Sequence, residues 1–230
     1  MKIRPDISVI VPVSGEESVI GERIRSIRAV EAGESPEIIV VDGDPGGGTL
    51  KALAEPDVIG LLSPRGRAIQ MNRGAERATG RILLFLHADT DLPNGAFTMI
   101  RRAMADESAA AGAFDLSIRS PRAAFRIIER VSSRRSRITR IPYGDQAIFL
   151  RSPYFREIGG YGEIPLMEDV ELMRRIKRRG DRVVFLKARV STSARRWEKE
   201  GILRCTLRNW ALVGLFLLGV PAGRLARYYP

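Results

Sequence analysis

Three short runs of β-branched and aliphatic residues, each stopping at an acid or a small polar residue, most constrain how this chain can fold. They are ISVIVPV (7–13), EIIVVDGD (37–44) and RILLFLHADTD (81–91). Runs of this length without polar alternation suit strands buried on both faces. Helical spacing fills the intervals. EESVIGERIRSIRAV carries Val19, Ile20, Ile24, Ile27 and Val30 on one face, and RAIQMNRGAERATG reads as a helix closed by Gly80. DVIGLL predicts a further strand, and NGAFTMIRRAMA predicts the helix after HADTD. Such alternation indicates an α/β fold with a mostly parallel central sheet and helices on both faces.

The second half is less regular. AAAGAFDLSI reads as a strand and PRAAFRIIERVSSRRSRITR as a basic helix; DQAIFLRSPYFREIGGY reads as a strand and then a short helix. MEDVELMRRIKRRG is a helix with a glycine stop at Gly180, and DRVVFL and ARVST are two short strand candidates. With no composition break, linker or repeat, one continuous domain over residues 1–230 is expected.

Composition narrows the function. A single cysteine, Cys205, excludes an internal disulfide framework and a cysteine-rich zinc site, and favours a reducing compartment. The opening MKIRPDISVIVPV has too short an apolar run for a signal peptide, so a cytoplasmic location is expected. The 38 Lys and Arg against 27 Asp and Glu leave a net charge of +11, which attracts polyanions or reflects a solvated arginine-rich surface. Aromatic residues are only 7% and do not interleave with basic ones, so nucleic acid is not the expected partner. The apolar core from Trp210 to Val220 is about half of the roughly 20 residues that a membrane-spanning helix needs. A buried terminal helix is expected there; the rival is an in-plane membrane contact helped by Arg204, Arg208, Arg224 and Arg227.

Ligands of parallel α/β sheets bind beyond the carboxyl ends of the strands. Those ends carry PVSGEE, DGDPGGGT, SPRGRA and HADTD. Asp42 is placed to accept from a base or ribose, and Arg65 or Arg67 to face phosphate. Neither G-x-G-x-x-G after the first strand nor G-x-x-x-x-G-K-S/T is present, so the usual phosphate cradles are absent. A divalent ion on Asp89, with Asp91 or His87 nearby, could neutralise a diphosphate, since hard cations take carboxylate and phosphate oxygens. The same acids also suit an ordinary turn. In EIPLMEDVEL, Glu168 and Asp169 open a predicted helix, either as charges favourable to its N-terminus or as a carboxylate base over the crevice. His87 has no second histidine to join it, which argues against zinc hydrolase chemistry.

These segments, with YGDQAIFLRSPYFREIGGYGEIPLMEDVEL and TSARRWEKEG, resemble family 2 glycosyltransferases along nearly the whole chain. They look closest to a bacterial subgroup labelled arsenosugar biosynthesis glycosyltransferases. The resemblance implies a GT-A fold and inverting transfer from a nucleotide-diphospho-sugar to an acceptor hydroxyl. Residues 1–105 would form the nucleotide-sugar half, 106–200 the acceptor and catalytic half, and 201–230 a C-terminal apolar helix. By position, Pro12 and Asp42 would lie around the nucleotide, and Arg67 at a donor contact. Asp89 matches the last aspartate of the D-x-D metal motif, with His87 in place of the first. Asp169 matches the base of the E-D pair and Glu168 its neighbour. SARRW is similar to Q-x-x-R-W, with Ser193 for the glutamine, which would set Arg196 and Trp197 near diphosphate and acceptor. The implied cofactors are Mg²⁺ or Mn²⁺ and a UDP-sugar; the implied partner is a small-molecule or lipid-linked acceptor. Two further readings stay open: a nucleotidyltransferase forming sugar nucleotides, and a non-catalytic basic protein at a membrane surface.

Overall fold

The computed structural model describes residues 5–33 and 36–229; residues 1–4 of the N-terminal stretch considered above therefore lie outside the described residues. The three runs form β1 (Ile7–Val13), β2 (Glu37–Asp42) and β4 (Ile82–Phe85), and DVIGLL contributes β3 (Ile59–Leu62). α1 (Ile20–Ala29), the single turn α2 (Gly48–Lys51) and α3 (Arg67–Arg77) connect them. After β4 come β5 (Thr90–Asp91), α4 (Ala96–Ala105), β6 (Ala109–Arg119) and α5 (Ala123–Thr139). A 3₁₀ turn at Gly144–Gln146 leads into β7 (Phe149–Arg151), α6 (Ser152–Glu157), α7 (Glu168–Arg179) and β8 (Arg182–Ser193). α8 (Arg195–Glu200), α9 (Ile202–Leu217), α10 (Ala222–Leu225) and a 3₁₀ turn at Ala226–Tyr228 follow.

The eight strands form one sheet in the order β3-β2-β1-β4-β7-β6-β8-β5. Pairings β1–β2, β1–β4, β2–β3 and β6–β8 are parallel, whereas β7 runs antiparallel to both β4 and β6, and β5 antiparallel to β8. Strand β1 shows why the uniform apolar runs are needed. Val9, Val11 and Val13 enter a core with Ile20, Ile24 and Ile27 of α1, Phe97 and Ile100 of α4, and Phe125 of α5. Ile10 points the other way, into a second core with Met71 and Ala75 of α3, Phe155 of α6, and Met173 and Ile176 of α7. Both faces of the strand are dry, so no alternation survives in its sequence.

Four expectations need correction. The α3 helix stops before Gly80: Ala78 is already extended, and Glu37 and Ser8 accept the next N–H groups, of Thr79 and Gly80. The candidates DRVVFL and ARVST are one strand, β8. Its register against β6 jumps between the pairs Phe114–Leu186 and Asp115–Arg189, so Lys187 and Ala188 bulge and break the pattern. HADTD holds a two-residue strand as well as a turn, because Thr90 and Asp91 pair with Thr192 and Ser191. Finally, α9 is not a buried helix. Only Cys205 and Leu212 are buried on it, while Leu203, Leu207 and Trp210 stand exposed.

The sheet edge where the chemistry was sought is closed from one side by Gln70 of α3. Its side-chain amide donates to the carbonyl of Val13 (2.7 Å), which also accepts from the Gly43 N–H (2.9 Å), and to that of Val41 (2.8 Å), near the ends of β1 and β2. An unsatisfied buried carbonyl costs about 1–3 kcal/mol. Gln70→Leu should therefore lower unfolding stability by about 1–3 kcal/mol in a urea titration. Stability equal to wild type would mean that Gln70 does not hold this edge.

Candidate active site

The segment after β4 is held by its own backbone. Arg23 of α1 donates to the carbonyls of Ala88 (2.6 Å) and Thr90 (3.0 Å), and Arg119 at the end of β6 donates to that of Asp89 (2.9 Å). Both arginines also pair with the Asp91 carboxylate. Asp91 is thereby a structural counterion. The Asp89 side chain stays exposed, and among the described residues its carboxylate accepts only from the adjacent Thr90 hydroxyl at 3.3 Å.

Facing it is the loop before β7. The N–H of Gly144 donates to Asp169 Oδ2 at 2.6 Å, and Val170 N–H donates to Oδ1 at 2.7 Å. The approach is close: a Cβ at position 144 would lie 2.8 Å from His87 Nε2 and 3.4 Å from Asp169 Oδ2, which only glycine avoids. His87, Gly144 and Asp169, far apart in sequence, thus meet at one point. Left-handed backbone at Ala147 (φ 48°) and Met167 (φ 66°) flanks this contact on both sides. Such conformations cost non-glycine residues roughly 1–2 kcal/mol and persist where surrounding structure fixes them.

Charge is concentrated here. Burial, then the nearby cations Arg67 and Arg196, hold the His87 imidazole well below its usual pKa, so it is neutral at pH 7 although part of its surface opens to the crevice. Burial and repulsion from Asp169 raise the Glu168 carboxyl, while Arg67 opposes them. Arg67 Nη1 lies 3.4 Å from Glu168 Oε1, bridging the N-termini of α3 and α7. Glu16, in the loop after β1, is raised by burial and then by Asp89.

Asp145 was not singled out from the sequence. Burial and repulsion from Asp169 push it up to about 6, against the pull of Arg135, and its Oδ1 is enclosed without a hydrogen-bond partner. The direction of β7 explains the omission. β7 is antiparallel to β4, so the residues before it, not after it, share the edge with the end of β4. Arg23 and Arg119 were missed because a side chain that binds main-chain carbonyls leaves no motif.

The other expected residues are placed as follows. Asp42 is wholly buried, and its carboxylate accepts from the N–H groups of Asp44 (2.9 Å) and Thr49 (3.1 Å), shaping the glycine-rich loop. Pro12 is half-buried in β1 beside Val41. Arg196 is exposed and donates to the Tyr229 hydroxyl while lying 4.7 Å over its ring. Trp197 packs edge-on against Phe125, with centroids 5.9 Å apart, and its Nε1 is enclosed without a partner. Arg65 is exposed.

Among the described residues, no group of three or more His, Cys, Asp or Glu side chains could hold a metal by itself. What exists is the nearly unengaged carboxylate of Asp89 with a neutral imidazole close by in sequence. That donor set fits a hard cation completing its shell with phosphate oxygens, as Mg²⁺ commonly does, rather than a protein cage.

Asp89 after β4, with Arg67 and Asp169 in the first turns of α3 and α7, lies at one edge of the α/β sheet, and comparison specifies the class. The family model "Glycosyl transferase family 2" matches residues 8–158, and the chain belongs to that family. No curated protein matched. The fold is GT-A. The mannosyltransferase PcManGT from Pyrobaculum calidifontis, in complex with GDP-Man and Mn²⁺, superposes with a TM-score of 0.64 at 22% identity, over 83% of this chain and 57% of that one. Staphylococcus aureus TarS with UDP-GlcNAc gives 0.62 at 17%, over 82% and 58%. Its complex with UDP gives 0.60 at 18%, over 82% and 60%. This chain therefore spans less than two thirds of each of those proteins, and at such identities the likeness is one of fold.

The raised Asp145 makes stability depend on pH. Native Asp145 keeps its proton up to about 6, whereas the unfolded residue loses it near 3.8. Stability should therefore fall as pH rises across that window and bear the full penalty above it. Two pKa units correspond to about 3 kcal/mol at most. In chelator-containing buffer, Asp145→Asn should gain on wild type by about 2–3 kcal/mol between pH 4 and pH 7. A constant difference across that range would contradict this protonation.

Proposed function

We propose that the chain is an inverting, metal-assisted glycosyltransferase that moves a sugar from a nucleotide-diphospho-sugar to an acceptor hydroxyl. The observation carrying this reading is the clamp on Asp169, whose two carboxylate oxygens are oriented by the amides of Gly144 and Val170 beside the half-open His87. Family membership favours transfer over sugar-nucleotide synthesis or a catalytically silent scaffold.

In a single displacement, the acceptor oxygen attacks the anomeric carbon on the face opposite the diphosphate, and its proton must leave as the bond forms. Asp169 takes that proton. A fixed carboxylate loses little freedom on reacting, and its partners are backbone amides that cannot swing away. Arg67, tied to Glu168, supplies positive charge near the donor, and Glu168 in turn sets the orientation of that guanidinium. His87, neutral, can give or accept a hydrogen bond without adding charge. Arg196, whose charge reaches His87, would face the diphosphate, and Trp197, packed on Phe125, would support the segment toward the acceptor. Asp42 and Pro12 act through the loop and strand that receive the nucleotide. Asp89, with His87 near, would hold a divalent ion, which when bound neutralises charge on the departing nucleoside diphosphate.

The fold relatives were solved with GDP-Man and Mn²⁺ or with UDP-GlcNAc, and a UDP-sugar with Mg²⁺ or Mn²⁺ is the pairing proposed here. The acceptor is a small molecule or a lipid-linked alcohol, and the arsenosugar resemblance places arsenic-bearing acceptors first among those to assay. We assign the whole of residues 1–230 to one GT-A unit working in the cytoplasm.

Removing the base isolates its role. Asp169→Asn should bind donor as wild type does and lose about 10²–10⁴ in kcat. The product of the wild-type enzyme should carry the opposite anomeric configuration from the donor, read by proton NMR coupling. Turnover of the variant within a few-fold of wild type would refute the assignment.

A further inference from the structure

The outer face of α9 is apolar and uncovered. Leu203 (72% exposed), Leu207 (53%), Trp210 (51%) and Leu217 (45%) recur at intervals of four, three and seven residues, so they line one side of the helix, and Leu218 (84%) follows at its C-cap. The opposite side carries the buried Leu212, which joins the core formed with α3, α6 and α7. Single exposed leucines are ordinary; a continuous stripe containing a tryptophan is not.

Its charge surroundings are one-sided. Residues 201–230 contain four arginines and no acid, and Arg204, Arg224 and Arg227 are exposed. Next to Leu217 opens a cavity of about 450 Å³, lined by Thr139, Ile141, Arg174, Lys177, Arg178 and Leu217. Among the described residues none of these three cations has an acidic partner; Arg174 only lies 6.0 Å over the Phe216 ring. An apolar stripe beside unneutralised cations matches the two layers of an anionic bilayer surface, acyl chain and phosphate. A second copy of the chain would instead set arginine against arginine around the stripe. Among the described residues no helix is long and apolar enough to cross a membrane, so the helix would lie in the surface plane.

We propose that α9 and the adjoining basic cavity are a docking face for a bilayer containing anionic phospholipid. Leu203, Leu207, Trp210 and Leu218 enter the headgroup–acyl boundary, and lipid phosphates meet Arg174, Lys177 and Arg178. The docked segment stays joined to the crevice, because Tyr229 at its end contacts Arg196. This face is independent of the reaction proposed above and is tested without an activity assay.

Flotation of the full chain with vesicles is the test. Protein should float with phosphatidylcholine–phosphatidylglycerol vesicles, less so at high salt, and stay behind with phosphatidylcholine alone. Each cation near such a surface contributes less than about tenfold, so Arg174→Gln, Lys177→Gln and Arg178→Gln together should weaken binding by about a hundredfold. A second variant, Leu207→Ser with Trp210→Ser and Leu218→Ser, should also lose flotation. Both should keep the circular dichroism spectrum and melting temperature of wild type. Three results would overturn the proposal: no flotation at low salt, flotation unaffected by either variant, or a wild-type dimer in light scattering that the serine variant abolishes while no vesicle binds. Stabilisation by inorganic phosphate without vesicle binding would equally overturn it, in favour of a free-anion site.

Discussion

The hydrogen bond from the Gly144 amide to the Asp169 carboxylate, 2.6 Å long, is the contact on which the crevice depends. It ties the loop before β7 to the first turn of α7, two segments with no regular pairing of their own. The tie brings His87, at the end of β4, against the same glycine. A methyl group at 144 would push the histidine away or open the carboxylate. Left-handed Ala147 and Met167 indicate what the surrounding packing sustains to keep this geometry.

A second constraint is the use made of arginine. The net charge of +11 suggests a polyanion partner, yet many guanidinium groups are spent on main-chain carbonyls. Arg23 holds Ala88 and Thr90, Arg151 holds Met104 (2.6 Å), Asp106 (2.9 Å) and Ala109 (2.9 Å), and Arg126 holds Ile118 (2.7 Å) and Ser120 (3.0 Å). The planar fork suits this bracing of strand ends and loops, where lysine offers no fixed geometry. Arg174, Lys177 and Arg178, and Arg204, Arg224 and Arg227 near the end of the chain, are among the cations left without an acidic partner among the described residues.

The first half was legible because a strand with both faces buried must be apolar throughout, and β1, β2 and β4 nearly are. The later strands were harder for particular reasons. The bulge at Lys187 and Ala188 divided β8 in two, and β7 reaches its neighbours antiparallel, hiding Asp145 from a rule written for parallel strand ends. Asp89 and Asp169 were visible as acids at ends of elements, but only the fold could show which acid is free. Asp91 is consumed by Arg23 and Arg119, Asp42 by backbone amides, and Asp89 by almost nothing. The end of the chain misled because an apolar helix was equated with a buried one.

The central claim is that this sheet edge is a donor site in which Asp89 shares a cation with a nucleoside diphosphate. Thermal unfolding against UDP, GDP, CDP and TDP, each with Mn²⁺ or with chelator, tests it most directly. A ligand bound only to the native state at 100 times its Kd adds about 2.7 kcal/mol. The account predicts that one diphosphate gives such a shift with Mn²⁺, loses most of it in chelator, and loses the metal-dependent part in Asp89→Ala. A shift indifferent to metal and to Asp89, or no shift with any of the four, would contradict it.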